Sequence, residues 1–282
     1  MSILQAILLG IVQGLTEFLP VSSSGHLILV PWAFNWHFFL ENPELNKTFD
    51  VALHLGTFVA VVVYYWRELL RLLRGFFRTL ATRRIRTPEE RLAWLLLLST
   101  VPAGIVGVSL EDVIVNRLGE PYLIGLMMIV FGVVMWVVDS HARLDRPLEK
   151  LGWKGALAIG VAQAAALAPG VSRSGITMVT GLLLGFDRES AARFSFLMSV
   201  PVIGGASLYS GLGVARDGLP AGTAVPFVAG MAAAAVSGFA AIWFLLAYLR
   251  RHDFKPFVFY RFAVGAGVLL VIVAGLRPAV GI

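Results

Sequence analysis

Glu17, Ser22, Ser23, Ser24 and His26 lie in one short stretch and combine a carboxylate, three hydroxyls and an imidazole, the parts from which a hydroxyl nucleophile is activated. Ser22 or Ser23 with His26 has the i,i+4 or i,i+3 spacing that sets two side chains together on a helix. Gln13 and Glu17, four apart, share a helical face that ends at Pro20, so both point toward the serines. A second polar run, Ser172, Arg173, Ser174, Gly175, Ile176 and Thr177, adds an always-ionised guanidinium whose planar fork suits phosphate oxygens. Ser174 and Thr177 share a helical face there.

Two readings of the first run stand side by side. The serines cap a returning helix while His26 bonds a carbonyl, or one serine is a nucleophile that His26 activates. Arg173 turns the balance toward anion chemistry, because a guanidinium at the tip of a loop inside apolar sequence needs an anionic partner. Two Ser-rich helix starts and one Arg make a phosphate cradle. The competing reading pairs Arg173 with Glu17 in a purely structural ion pair between the two halves of the chain.

The elements that must position these groups follow from composition. Over 282 residues, 58% are hydrophobic and 14% charged, with a mean hydropathy of +0.81, which is too apolar for a soluble surface and indicates an all-α polytopic membrane protein. There are no cysteines, which excludes a disulfide framework, a thiolate metal site and Cys catalysis. The net charge of +6 does not call for nucleic acid, because the basic residues sit beside apolar spans. Eight arginines between Arg67 and Arg91 mark a loop on the cytoplasmic side by the positive-inside rule, with some contact to lipid headgroups. No Lys or Arg precedes Lys47, so the apolar N-terminus lacks the basic region of a cleavable signal peptide and is expected to be part of the fold.

Six full spans are expected near 49–66, 92–110, 121–138, 190–211, 224–248 and 256–276, each of membrane-crossing length. Two further apolar regions, about 2–36 and 153–186, are broken near their middles by the polar runs at Pro20 and Pro169. Backbone freed by such breaks survives only inside protein or beside water, so each region reads as a re-entrant helix-loop-helix hairpin. With 67–91 inside, the linker residues Arg143, Arg146, Lys150 and Lys154 and the turn with Arg250, Arg251 and Lys255 also fall inside, while Glu111, Asp112 and Glu120 fall outside. Both termini are then outside. A single membrane domain, 1–282, divides into halves 1–140 and 151–282 with the same order of elements in opposite orientation, an inverted-topology repeat. Gln13, Leu19 and Pro20 match Gln163, Leu167 and Pro169 with a one-residue gap. Gly10 with Gly14, and Gly181 with Gly185, have the small-residue spacing of closely packed membrane helices.

The run from Gln13 through Gly14, Leu15, Thr16, Glu17, Phe18, Leu19 and Pro20 to His26, with the run from Pro169 to Thr177, resembles the two signature regions of the undecaprenyl-diphosphate phosphatases, the bacitracin-resistance family. The likeness covers essentially the whole chain, including the arginine-rich segment and Tyr260, Arg261 and Phe262. It implies removal of the terminal phosphate from a long-chain isoprenyl diphosphate lipid in the bacterial inner membrane, regenerating the lipid monophosphate carrier for cell-wall synthesis. It also implies a site open toward the periplasm or exterior and a divalent cation, Mg²⁺ or Ca²⁺. Carried over, Ser23 matches the nucleophile, His26 a catalytic partner or rival nucleophile, Glu17 an essential acid and Arg173 a phosphate ligand. Gln13, Ser22, Ser24, Ser172, Ser174 and Thr177 match substrate-binding positions, and Glu17 with Gln13 the metal site. Gln13 stands where Glu is frequent in the family, which leaves a two-carboxylate metal site one charge short. Ser24 stands where Thr is common.

Other groups are given plainer roles. Asp50 and His54 read as a helix-end pair bordering the site, the tryptophans, such as Trp32, Trp36 and Trp66, as interfacial anchors, and Phe38 and Phe39 as contacts to lipid. The rival function is a secondary transporter or flippase for an anionic lipid phosphate, since inverted repeats and broken helices are also transporter architecture. The sequence is compatible with a homodimer.

Overall fold

A computed structural model of the chain describes residues 1–36, 38, 42–109, 118–217 and 222–279. Glu111, Asp112 and Phe39 lie outside the described residues. Among the described residues ten α-helices run α1 Ile3–Phe18, α2 Ser23–Phe34, α3 Pro43–Thr82, α4 Pro88–Ser109, α5 Pro121–His141, α6 Trp153–Ala164, α7 Arg173–Leu183, α8 Arg188–Asp217, α9 Ala224–Leu249 and α10 Lys255–Val273. Five of them, taken over Leu45–Thr82, Pro88–Ser109, Pro121–His141, Ala224–Leu249 and Lys255–Val273, are long and apolar enough to cross a membrane. The protein is therefore a multi-pass helical membrane protein. The expected span near 190–211 falls on α8, which is not one of those five.

Both polar runs sit at helix breaks. α1 and α2 have 16 and 12 residues, and α6 and α7 have 12 and 11, so at 1.5 Å per residue each is shorter than the roughly 30 Å hydrocarbon core. The start of α1 is fixed by a capping box in which the Gln5 N–H donates to Ser2 Oγ and the Ser2 N–H to Gln5 Oε1, at 3.1 and 2.9 Å.

The arginine-rich segment is not a loop. α3 bends at Tyr65, which leaves helical geometry, and then continues as helix to Thr82. The connection to α4 is only Arg83 to Thr87. Leu69, Leu72, Leu73, Phe76 and Leu80 recur at helical spacing through this stretch, and Arg67, Arg71, Arg74 and Arg78 do the same on another face. Two interleaved helical stripes outweigh the local excess of charge.

The hairpin helices are held by close backbone approach. α1 lies against α9 so tightly that a β-carbon on Gly10 would sit 2.3 Å from the Gly230 carbonyl oxygen, and one on Gly14 would sit 2.5 Å from that of Ala234. Gly181 similarly meets Ala191 on α8. Gly185 is different: at φ +87° it terminates α7, and its N–H donates to the Leu182 carbonyl, so it serves a turn rather than a packing face. At the far end of the fold Asp139 joins three helices, accepting from Arg188 Nε at 2.6 Å and from the Phe254 N–H at 2.9 Å.

Gly14→Ala is expected to lower stability by about 1–3 kcal/mol through overpacking, read as a fall in melting temperature in detergent. Gly104→Ala, where a methyl group meets nothing within 4 Å, serves as the comparison. Equal melting temperatures for the two variants would contradict the α1–α9 contact.

Candidate active site

The two breaks are built by the same local device. Ser22 and Ser172 take φ of +76° and +79°, values costly for a residue with a side chain. Each then caps the following helix by accepting the N–H three residues on, that of Gly25 or Gly175, at 3.4 and 3.1 Å. In this register Ser22-Ser23-Ser24-Gly25 matches Ser172-Arg173-Ser174-Gly175, so Ser23 in one break stands where Arg173 stands in the other.

The breaks are also joined to each other. The Gly170 N–H donates to Ser22 Oγ at 3.0 Å, and Ser174 Oγ donates to the Leu19 carbonyl at 3.0 Å. Beneath them Arg261, with 0% exposure, donates to the carbonyls of Pro20 and Gly170 at 3.3 and 2.7 Å and to that of Met128 on α5 at 3.1 Å.

Glu17 is the hub. Its Oε1 accepts from Arg173 Nη2 at 3.0 Å, and its Oε2 accepts from Ser23 Oγ at 2.6 Å and Gln13 Nε2 at 3.0 Å. His54 Nε2 lies 3.7 Å from the same Oε2. The Arg173 and Glu17 side chains are 14% and 5% exposed. Arg173 Nη1 also donates to the Ser195 carbonyl. The ion pair between the halves, one of the two sequence readings of Arg173, is thus formed, and it is formed at the wall of a cavity.

That cavity, of about 360 Å³, is lined by Glu17, Ser23, Ser24, Ser172 and Arg173 from the breaks, by Lys47, Asp50 and His54 from α3, and by Ile203, Ala206 and Ser207 from α8. Two helix starts border it, and their first N–H groups have no partner within the helix, which favours an anion there.

Several expected site residues do not line it. Gln13 is fully buried behind Glu17, Ser22 is consumed by the two backbone N–H groups it accepts, and Thr177 bonds Ser195 and the carbonyls of Arg173 and Ser174. Ser174 is turned to Leu19, and Ser172 reaches it at 3.2 Å. His26 does not meet the Ser23 hydroxyl: its Nδ1 bonds the Ser22 carbonyl and its Nε2 the Tyr260 hydroxyl, both at 2.7 Å. The ring lies nearly parallel to Tyr260. The i,i+3 spacing was compatible with a Ser–His pair, but the i−4 carbonyl was the nearer partner.

The sequence places Asp50 and His54 at the border of the site as a helix-end pair, and it gives Lys47 no part in the site. His54 Nδ1 does bond the Asp50 carbonyl at 2.7 Å, yet that bond is what directs Nε2 toward Glu17. Arg261 enters the sequence reading only through the family resemblance. The argument applied to Arg173, an ionised group inside an apolar span, would have singled it out.

The sequence profile of the bacitracin resistance protein BacA matches residues 6–267. This chain belongs to the BacA family. Among its relatives is an undecaprenyl-diphosphatase of Pelobacter propionicus, 45% identical over 98% of this chain and 99% of the relative. Proteins of the same name from Thermomicrobium roseum and Desulforudis audaxviator are 45% and 47% identical, over 96% and 95% of this chain and 99% and 97% of theirs. The matched span of the BacA profile includes both breaks, Lys47, Asp50 and His54 at the cavity, and Arg261.

Removing one member of a buried ion pair costs about 3–5 kcal/mol because the other charge is stranded. Glu17→Gln and Arg173→Gln are each expected to be destabilised on that scale. The double variant should be destabilised by clearly less than the two singles together, measured as denaturant or thermal unfolding in detergent. Additive losses would argue against the pair.

Proposed function

We propose that this chain is an undecaprenyl-diphosphatase: it hydrolyses undecaprenyl diphosphate to undecaprenyl phosphate and inorganic phosphate, recycling the lipid carrier for peptidoglycan synthesis and conferring bacitracin resistance. The names of its full-length relatives support the activity. The observation that carries the chemistry is the Ser23 hydroxyl held at 2.6 Å by Glu17, whose other oxygen holds Arg173, with all three on one cavity wall.

In this reading the diphosphate enters the cavity, and Arg173 and the two helix starts take its charge. Ser24 offers a hydroxyl from the same wall, and Lys47 adds a cation. Ser23 Oγ attacks the terminal phosphorus as its proton passes to Glu17 Oε2. The bond from that phosphorus to the bridging oxygen breaks, and the electron pair leaves with undecaprenyl phosphate. Glu17 releases that proton to solvent, takes one from the water that attacks the phosphoserine, and returns it to Ser23 Oγ as the bond to phosphorus breaks and inorganic phosphate departs. His26, bonded to the Ser22 carbonyl and Tyr260, holds the start of α2 on which Ser23 sits.

A divalent cation, Mg²⁺ or Ca²⁺, belongs to the same proposal. Gln13 Oε1 is buried without a hydrogen-bond partner beside Glu17, and an amide oxygen next to a carboxylate is the kind of ligand that hard cations take. Among the described residues no three His, Asp or Glu side chains gather as a ligand set, so Glu17 and Gln13 would hold the ion together with substrate oxygens and water. Its contribution would be to share the charge of the diphosphate.

The architecture proposed to carry this site is one domain with six spans, α8 being the sixth, and two re-entrant hairpins, α1–α2 and α6–α7, in an inverted-topology repeat of 1–140 and 151–282. The matching caps at Ser22 and Ser172 support it. So does the placing of the cavity at the first turns of α3, where Lys47, Asp50 and His54 stand, while the arginine-rich connection lies at its other end. By the positive-inside rule the cavity then opens to the periplasm or exterior of the inner membrane, with both termini on that side.

The test is phosphate release from a long-chain isoprenyl diphosphate by the purified chain in detergent with Mg²⁺ or Ca²⁺. Ser23→Ala is expected to lose roughly a thousandfold or more while still binding substrate, and to trap no phosphoenzyme. Arg173→Ala is expected to lose both turnover and binding. A phosphohistidine trapped in Ser23→Ala would transfer the nucleophile to His26. A folded parent that releases no phosphate yet carries isoprenyl phosphate across vesicles would replace the enzyme by a transporter.

A further inference from the structure

A second cavity lies at the arginine-rich end of the fold. About 370 Å³ in volume, it is enclosed by α3, the Arg83–Thr87 connection, the first turns of α4, the segment around Leu148–Leu151 and the start of α8. Four arginines line it, Arg71, Arg86, Arg91 and Arg193, against three glutamates, Glu68, Glu89 and Glu149. Arg193 is committed to Glu68 through Nε and Nη2 at 3.1 and 2.6 Å, and Arg91 donates to the Leu151 carbonyl. The side chains of Arg71 and Arg86 form no ion pair among the described residues.

An apolar groove of about 660 Å³ adjoins this cavity and shares Leu72 with it. On α8 the groove takes up Leu197 and Val200, one and two turns beyond Arg193, and on α4 it takes up Leu96 and Leu97, beyond Arg91. Every side chain that lines it is apolar. Trp66, Leu70, Leu73 and Leu97 on its wall are exposed, so it opens on the side that faces lipid. A basic cavity at the interface with an apolar groove running inward from it has the two-part shape of an amphiphile.

We propose that this cavity and groove form a binding site for an anionic phospholipid, with the phosphodiester between Arg71 and Arg86 and an acyl chain in the groove. The charge selects the headgroup. The lining has one positive charge in excess, which matches the single charge of a phosphodiester. A phosphate monoester carries about −1.5 to −2 near pH 7 and would leave the cavity net negative. Basic pockets between membrane helices on the cytoplasmic side are where anionic headgroups collect. The site stands apart from the catalytic cavity, with no lining residue in common.

The experiment is native mass spectrometry of the full-length protein in detergent, offered equal amounts of phosphatidylglycerol and phosphatidylcholine with the same oleoyl chains. Phosphatidylglycerol is expected to be retained at least tenfold better. Arg71→Gln with Arg86→Gln should bring the two lipids level while phosphate release by the same preparation stays within twofold of the parent. Leu73→Gln should weaken retention of both lipids. Equal retention of the two lipids by the parent would overturn the proposal. So would displacement of phosphatidylglycerol by millimolar inorganic phosphate, which would make this a free-phosphate pocket, or by isoprenyl monophosphate, which would give the groove to the product. Should the double variant not yield a single species, the parent's lipid ratio and Leu73→Gln decide the question.

Discussion

The constraint on which this structure turns is that a helix broken within lipid must find protein partners for the backbone groups it frees. Arg261 answers it. Its buried guanidinium donates to Pro20 and Gly170, one carbonyl from each break, and to Met128 on α5. An ion buried without a carboxylate is costly, but a guanidinium has five donors in a fixed plane, and here they meet carbonyls that would otherwise be unpaired. The cost of burying the charge and the cost of breaking two helices offset each other. Because α5 and α10 supply the clamp, the geometry of the site depends on helices that contribute nothing to its surface.

Once the breaks are pinned, the two Ser caps fix what each helix start presents. The same turn at φ near +76° and +79° puts residue i+1 at the cavity in both halves. One half places Ser23 there and the other places Arg173, so a nearly symmetric backbone brings the proposed nucleophile and the proposed anion ligand to one wall of the same cavity. Glu17 bridges them. Preorganisation of this kind leaves little to rearrange when charge develops on a reacting phosphate.

The local parts of this site were legible because they depend on neighbours in sequence. The break at Pro20, the caps before Gly25 and Gly175, and the shared face of Gln13 and Glu17 all follow from spacing and residue type. The partners brought in by tertiary packing were not. Tyr260 reaches His26 across 234 positions, and nothing in the interval between Ser23 and His26 indicates that the imidazole prefers Ser22's carbonyl and a remote phenol. Lys47, Asp50 and His54 line the cavity only because α3 packs against α1 and α8. The helix from Arg67 to Thr82 is legible in the helical spacing of its arginines, whereas its charge density marks only the side of the membrane.

The Glu17–Arg173 pair also bears on when the base becomes available. In the resting arrangement Arg173 sits 3.0 Å from Glu17 and occupies its Oε1. A diphosphate in the cavity offers Arg173 a more highly charged, bidentate partner. In the proposed reaction, as Arg173 turns to it, Glu17 loses its counter-ion while keeping Ser23 on Oε2, where it stands ready as proton acceptor. Substrate binding and activation of the nucleophile are then one event. A water molecule entering the same cavity brings no negative charge with which to draw Arg173 away, so without substrate the pair stays closed. The structural and catalytic readings of this ion pair are therefore compatible: the pair joins the two breaks at rest, and in the proposed reaction its exchange for substrate frees Glu17 to act.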